Sequence, residues 1–321
     1  MYVNLTREQQ DLRREISSYF ASIVTAEYRA LMHDYRNPQR LAGYKDLIRT
    51  MGRDGWLAVG WPTKFGGKGY TPLEQLIFFE EALLAGAMLP FVTINTVAPA
   101  LMEHGSEAHR QKFLPGIAAG EIHFAIGYTE PSAGTDLATL KTTALADSDG
   151  FVVNGQKIFT SDIDAADYVW LACRTDPDRP RHKGISLLIV DARATGVSYT
   201  PIHTVGHQTF ASYYSDVRVP ADRLVGELHG GWKLITAQLN HERVGLGAFG
   251  VKATACFRDV LIWAKTPDEN GRRAVDEPWV RTALAESYSQ IEAMRLLNYR
   301  IAADISAGRM GIDRGSLARL A

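Results

Sequence analysis

The spacing of apolar and polar residues changes character twice along the chain. Up to about residue 120, apolar positions recur at helical spacing. Leu12, Ile16 and Tyr19 follow a Thr6-Arg-Glu-Gln9 capping-box pattern, and apolar helical stretches are expected from Pro72 to Ala87 and again up to Pro115. The segment from Gly60 to Tyr70, with Trp61, Pro62, Gly66, Gly67 and Gly69, interrupts this block as a rigid loop. Between about 122 and 227 the runs shorten and become rich in β-branched and aromatic residues, as in Tyr168-Val-Trp-Leu-Ala-Cys173 and Ile185-Ser-Leu-Leu-Ile-Val190, with Gly, Pro, Asp and Asn turns between them. From Trp232 helical spacing returns through Leu234, Ile235 and Leu239, and later through Val280, Leu284, Ile291 and Leu296. The pattern predicts an α+β multidomain protein: an N-terminal all-α domain over 1–121, a central β domain over 122–227 and a C-terminal α-helical bundle over 228–321. The last segment, Asp313 to Ala321, opens an apolar-periodic helix with no closing cap, so the bundle is expected to be incomplete within this sequence.

Composition narrows the class without choosing a function. With 46% hydrophobic and 22% charged residues among 321, the chain can bury more than one core. Its 35 basic and 36 acidic residues are interspersed, which leaves no field for nucleic acid or an anionic membrane. Cys173 and Cys256 lie in apolar segments without a CxxC or Cys/His cluster, so buried reduced thiols are expected, with neither a metal site nor a disulfide. The first residues carry no basic and apolar leader, and no apolar run approaches the ~20 residues of a membrane span. A cytoplasmic protein is the expectation.

Two turn-rich segments stand out. Phe124 to Tyr128 is strand-like and runs into Thr129-Glu-Pro-Ser-Ala-Gly-Thr-Asp136; about thirty residues later comes Asn154-Gly-Gln-Lys-Ile-Phe-Thr-Ser161. The stretch Phe151 to Phe159 reads as a hairpin centred on Asn154-Gly155. Taken singly, Thr129 and Ser161 would cap turns and Phe159 would belong to a core. A third segment, Gln238-Leu-Asn-His-Glu-Arg-Val244, carries Glu242, expected to open a helix, which alone would be a first-turn glutamate favoured by the helix dipole and paired with Arg243. Gly245, Gly247 and Gly250 follow it and are expected to let backbone approach a ligand closely. His203 and His207 fall in an expected surface loop.

Together these segments resemble the acyl-CoA dehydrogenase family. The α, β, α order, Trp61-Pro with Gly66-Gly-Lys-Gly69, Lys112-Phe-Leu-Pro115 with Gly120-Glu121, Val219-Pro-Ala-Asp-Arg-Leu-Val-Gly226 and Gly230-Gly-Trp-Lys233 extend the likeness over essentially the whole chain. The wording is most similar to actinobacterial members that act on steroid side-chain thioesters as heteromeric complexes. The resemblance implies FAD as cofactor, held by Ile126, Gly127, Tyr128 and Thr129 on one side and by Phe159, Thr160 and Ser161 on the other. Phe159 would cover the ring where many relatives have Trp, and Ser161 would sit near N5. It implies α,β-dehydrogenation of an acyl-CoA to the trans-2-enoyl-CoA, with Glu242 as base and Thr135, Asn240 and Arg243 as substrate-binding residues. The acyl group would be a steroid side chain or another bulky group, and an electron-transfer flavoprotein or similar acceptor would take the electrons. The alternatives are a non-catalytic scaffold subunit, or a flavin oxidase or N-hydroxylase on the same fold.

Two departures from the family bear on assembly. The Arg-x-x-Phe-Gly segment that grips the pyrophosphate of a neighbouring subunit's FAD is replaced by Trp263-Ala-Lys-Thr-Pro-Asp-Glu-Asn-Gly-Arg-Arg273. The resemblance therefore implies a hetero-oligomer with a homologous subunit, or otherwise a homo-oligomer. The family also places its base either at the Glu242 position or near the C-terminus, and the sequence stops before the second.

Overall fold

A computed structural model describes residues 5–205 and 208–309, with side chains except at 239–244 and 246. Asp313 to Ala321 and His207 lie outside the described residues. The helices are α1 (Arg7–Ile23), α2 (Ala26–His33), α3 (Arg40–Arg53), α4 (Pro72–Ala85), α5 (Ala98–His104), α6 (Glu107–Ala118), α7 (Gly231–Ala248), α8 (Val251–Lys265) and α9 (Pro278–Ser306). The strands are β1 (Phe124–Gly127), β2 (Thr143–Asp147), β3 (Gly150–Lys157), β4 (Tyr168–Arg174), β5 (Ile185–Asp191), β6 (Val197–His203), β7 (Gln208–Pro220) and β8 (Leu224–Val225). In chain order, helices precede and follow the strands of one sheet. Among the described residues no helix is long and apolar enough to cross a membrane, and no group of three His, Cys, Asp or Glu is placed to hold a metal ion.

Contacts divide the chain into two compact units, one of Met1–Arg29, Gly69–Met88 and Arg243–Ala321, the other of Ala30–Lys68 and Leu89–Glu242. In the first unit α4 packs against α1, α8 and α9. The sequence makes these helices start where they do. Thr6 and Gln9 exchange side-chain and backbone hydrogen bonds as a capping box, and Thr71 with Glu74 does the same ahead of Pro72. Arg13 of α1 pairs with Glu80 and Glu81 of α4 and donates to the Tyr299 hydroxyl of α9 at 2.9 Å, so one guanidinium ties three helices. Burial pushes the Glu80 carboxyl above its usual range, against the pull of Arg13.

The second unit is built on the sheet, ordered β6-β7-β3-β2-β4-β5-β8, with β1 parallel to β4. β4 and β5 read as nearly continuous apolar runs because both faces are covered, and Val169, Leu171, Cys173, Leu188 and Val190 lie in the core. β1 is short, and Thr93 caps it: its hydroxyl accepts from the Phe124 N–H at 2.9 Å.

Four sequence expectations are corrected. Asn154-Gly155 is not a hairpin turn but part of the continuous strand β3; the β2–β3 turn is at Ser148-Asp149. Asn-Gly here meets a bulge in β7, where the pairing skips from Val153–Val217 to Gly155–Tyr214. Asp216 takes φ 51°, and the Asn154 side chain both donates to its carboxylate at 3.0 Å and accepts its N–H at 2.9 Å. α6 runs through Pro115 to Ala118, because a proline in the last turn removes little of the ladder. His203 belongs to β6 and not to a loop. Cys173 is buried, its thiol pushed up to about 12 by burial, but Cys256 is exposed on α8.

His123, at the entry to β1, packs against Tyr44 with ring centroids 5.9 Å apart. Burial first, and then the Lys45 charge, lower its pKa to about 4. The unfolded chain, with an imidazole near 6.5, therefore binds more protons between the two values, and stability falls as pH drops through that window. We expect roughly 2 kcal/mol to be lost between pH 7.5 and pH 5 from this group. His123→Gln should flatten the dependence of the urea midpoint on pH over that range; an unchanged slope would refute the assignment.

Candidate functional site

The two sequence segments meet at one end of the sheet, joined through their backbones and through a buried ion pair. β1 ends at Gly127 and releases Tyr128-Thr129-Glu130, while β3 ends at Lys157 and releases Ile158 to Ser161. The Ile158 N–H donates to the Thr129 carbonyl at 2.8 Å. Lys157 Nζ donates to Glu130 Oε1 at 2.8 Å and to the Tyr128 carbonyl at 3.1 Å. The Glu130 carboxylate also accepts the N–H groups of Lys141 at 2.6 Å and Thr142 at 2.8 Å. The Lys157 side chain is fully buried and that of Glu130 is 4% exposed, so each charge depends on these partners for what water would supply. Burial alone would raise the Glu130 carboxyl; the Lys157 charge and the three donors outweigh it and hold it below the usual carboxylate range.

Around this anchor the remaining residues take distinct places. Ile126 is half-buried in β1. Gly127 is needed by packing: a Cβ there would stand 2.8 Å from Leu171 Cδ1 and 3.0 Å from Val169 Cγ1. The Tyr128 hydroxyl donates to Gln238 Oε1 on α7 and accepts from Trp170 Nε1, the latter at 3.1 Å. The Gln238 amide nitrogen is buried, with no hydrogen-bond partner among the described residues. Thr129 is half-buried. Phe159 has φ 61°, a conformation bulky residues avoid, and its side chain leaves the residue 57% exposed despite its apolar area. Thr160 is buried, its N–H donating to the Phe210 carbonyl at 2.9 Å and its hydroxyl bonded to that of Ser212 at 3.0 Å. Ser161 is exposed, with its hydroxyl 3.0 Å from that of the buried Thr209. Thr135 lies exposed beyond the Glu130–Ala133 bridge.

On α7 the sequence candidates are reached only in part. Positions 240, 242 and 243 are helical, and position 242 lies well inside α7, one turn after Gln238, and not in the first turn expected of it, because the helix already starts at Gly231; the side chains of Asn240, Glu242 and Arg243 lie outside the described ones, as does that of His241. Of the glycines that follow, Gly247 and Gly250 stand against a neighbouring helix. A Cβ on Gly247 would meet Asn298 Oδ1 at 3.1 Å and one on Gly250 would meet Met294 Cε at 2.6 Å, both on α9. Asn298 fills the contact by donating to the Gly247 carbonyl at 2.9 Å.

Glu130, Lys157, Thr209 and Gln238 were not singled out by the sequence. The signal for Lys157 was its parity: it follows Phe151 and Val153 on the buried face of β3, where a lysine requires an acidic partner.

Comparison with known proteins accounts for the chain from end to end. The family models for the acyl-CoA dehydrogenase N-terminal, middle and C-terminal domains match residues 6–121, 125–217 and 229–321. Acyl-CoA dehydrogenase FadE26 of Mycobacterium tuberculosis is 49% identical over 312 residues, covering 95% of this chain and 78% of that protein; FadE29 of the same organism is 51% identical over 304 residues, covering 94% and 78%. Among solved structures, the ChsE4-ChsE5 complex from Mycobacterium tuberculosis aligns with a TM-score of 0.91 at 48% identity over 99% of this chain and 81% of its own. The Tcur3481-Tcur3483 steroid ACAD aligns with a TM-score of 0.92 at 45% identity, with the same coverage.

The ion pair makes a stability prediction. Lys157→Met leaves a buried carboxylate without its counter-charge and should cost about 3–5 kcal/mol, whereas Glu130→Gln/Lys157→Gln, which removes both charges, should cost much less. Urea denaturation of the three proteins measures this, and equal losses would show that the charges are not coupled.

Proposed function

From the chain's membership of the acyl-CoA dehydrogenase family we propose that it is the flavin- and substrate-holding subunit of an enzyme that desaturates an acyl-CoA to the trans-2-enoyl-CoA. The observation that carries this reading is the junction of Thr129 with Phe159 to Ser161. An exposed aromatic side chain held in a strained backbone conformation, beside hydroxyls at Thr129 and Ser161, suits a planar conjugated ring such as the isoalloxazine of FAD. When bound, the flavin supplies the hydride acceptor that no side chain provides. The protein's share is positional and electrostatic. Thr129 would hydrogen-bond the electron-rich edge of the ring, Phe159 would cover a face, and Ser161, oriented by Thr209, would stand near N5.

Substrate chemistry falls to α7. Glu242 would take the Cα proton, and Asn240, Arg243 and Thr135 would hold the thioester. A carboxylate is a weak base for a proton α to a thioester, so the reading requires that substrate binding desolvate it and that hydrogen bonds stabilise the enolate oxygen.

The assembly we infer is heteromeric, as in the ChsE4-ChsE5 complex. α8 stops at Lys265, and Asp268 turns the following segment by accepting the N–H groups of Asn270 and Arg272, each at 2.8 Å. Arg272 and Arg273 pair within that segment, with Asp268 and Asp276, which supports a reading in which another subunit grips the pyrophosphate. Ile262, Trp263 and Trp279, at 65%, 65% and 72% exposure, offer apolar surface for such a partner. The similar steroid ACAD structures favour a steroid side chain as the acyl group, and an electron-transfer flavoprotein or similar acceptor would reoxidise the flavin.

Two experiments test the reading on the complex co-expressed with a homologue carrying Arg-x-x-Phe-Gly. Glu242→Gln should still bind FAD and acyl-CoA but slow anaerobic bleaching of the flavin band ~10²- to 10⁴-fold; near-normal bleaching would place the base elsewhere and favour a scaffold role for this chain. Phe159→Ala should weaken flavin retention, by ~1–3 kcal/mol, and leave the circular dichroism unchanged. Loss of secondary structure with unchanged flavin would make Phe159 a core residue.

A further inference from the structure

The buried ammonium of Lys157 has a use beyond joining the two loops, and it follows from where its second hydrogen bond goes. The Tyr128 carbonyl that it reaches at 3.1 Å and the Thr129 N–H are the two ends of one peptide group. A positive charge at the carbonyl oxygen draws electron density across that planar group and makes its N–H a stronger donor. Among the described residues nothing accepts the Thr129 N–H, although its own carbonyl is engaged by Ile158. The charge sits where no water screens it, with Lys157 at 1% exposure. Glu130 offsets only part of that charge, since its carboxylate is shared with the N–H groups of Lys141 and Thr142, while the ammonium donates to the carbonyl itself.

We propose that Lys157 is a positioning residue that tunes the cofactor: its buried charge, relayed through the Tyr128–Thr129 peptide, strengthens the Thr129 N–H toward the electron-rich edge of the flavin and so favours the reduced state. This rests on the reading above that the flavin edge lies at Thr129. The relay asks nothing of substrate and acts on the resting cofactor, so it sets how readily the ring accepts an electron pair before any acyl-CoA binds. It also explains why a lysine occupies this strand position when an apolar residue would fill the core at lower desolvation cost.

The test uses the co-purified heteromeric complex. Glu130→Gln/Lys157→Gln keeps both side chains close in size and able to hydrogen-bond but removes both charges, and Lys157→Arg retains the positive one. Flavin content and the midpoint potential against a reference dye are measured for each. We expect the double variant to hold its flavin and to shift the two-electron reduction equilibrium at least tenfold toward the oxidised form, a fall of about 30 mV. Lys157→Arg should stay within threefold of the parent. An unchanged potential in the double variant overturns the proposal, as does an equal shift in both variants. Loss of flavin from the double variant also overturns it, because the pair would then act by holding the loops together. A parent complex without flavin would instead overturn the functional reading itself.

Discussion

An ammonium and a carboxylate placed out of reach of water must find every donor and acceptor inside the protein, or the fold loses several kcal/mol for each. Lys157 and Glu130 meet that demand with atoms from three separate stretches: the segment leaving β1, the end of β3 and the backbone N–H groups of Lys141 and Thr142. Because those partners must be simultaneously in place, the loops that follow β1 and β3 cannot adjust independently. The left-handed backbone of Phe159 and the Ser161 hydroxyl, which pairs with that of Thr209, are two and four residues beyond that anchor in sequence, and they inherit its rigidity. A site whose precision comes from an ion pair behind it can leave its front open to a ligand.

The sheet adds a second level of control. β7 carries the extra residue of the bulge, so beyond the buried Thr209 at its start the buried positions are even-numbered at Phe210, Ser212 and Tyr214 and odd-numbered at Val217 and Val219. The half nearer the candidate site thus brings the Ser212 hydroxyl to Thr160, and the other half turns Val217 and Val219 into the core that Phe210 and Tyr214 also join. One strand serves both purposes because Asp216 accepts a positive φ with help from Asn154.

Much of this architecture was legible from residue order. The Thr6–Gln9 box, the helical blocks and the strand-rich centre follow from local spacing, and the likeness of the two motif segments to the family was specific enough to bring them together. Some local signals carry two physical meanings. Asn-Gly suits a hairpin turn and also the partner of a bulge, and only the pairing of β3 with β7 decides between them. Glycines on a helix near a candidate base suit a ligand and also a neighbouring helix, and the contact of Gly247 and Gly250 with Asn298 and Met294, some fifty residues away, leaves no local trace. The partnership of Lys157 with Glu130 spans 27 positions and leaves no periodic trace except a charge at a buried strand parity.

The contrast between the two cysteines gives the chain a built-in reporter. A thiolate is the species that alkylating reagents attack, and the Cys173 thiol, enclosed in β4 with its pKa raised to about 12, can form one only when the sheet opens. Cys256 meets solvent in the folded protein. Pulse alkylation followed by mass spectrometry would thus modify one site at once and the other at the rate at which the β core exposes itself, so opening of the sheet can be timed without introducing a label or altering a residue.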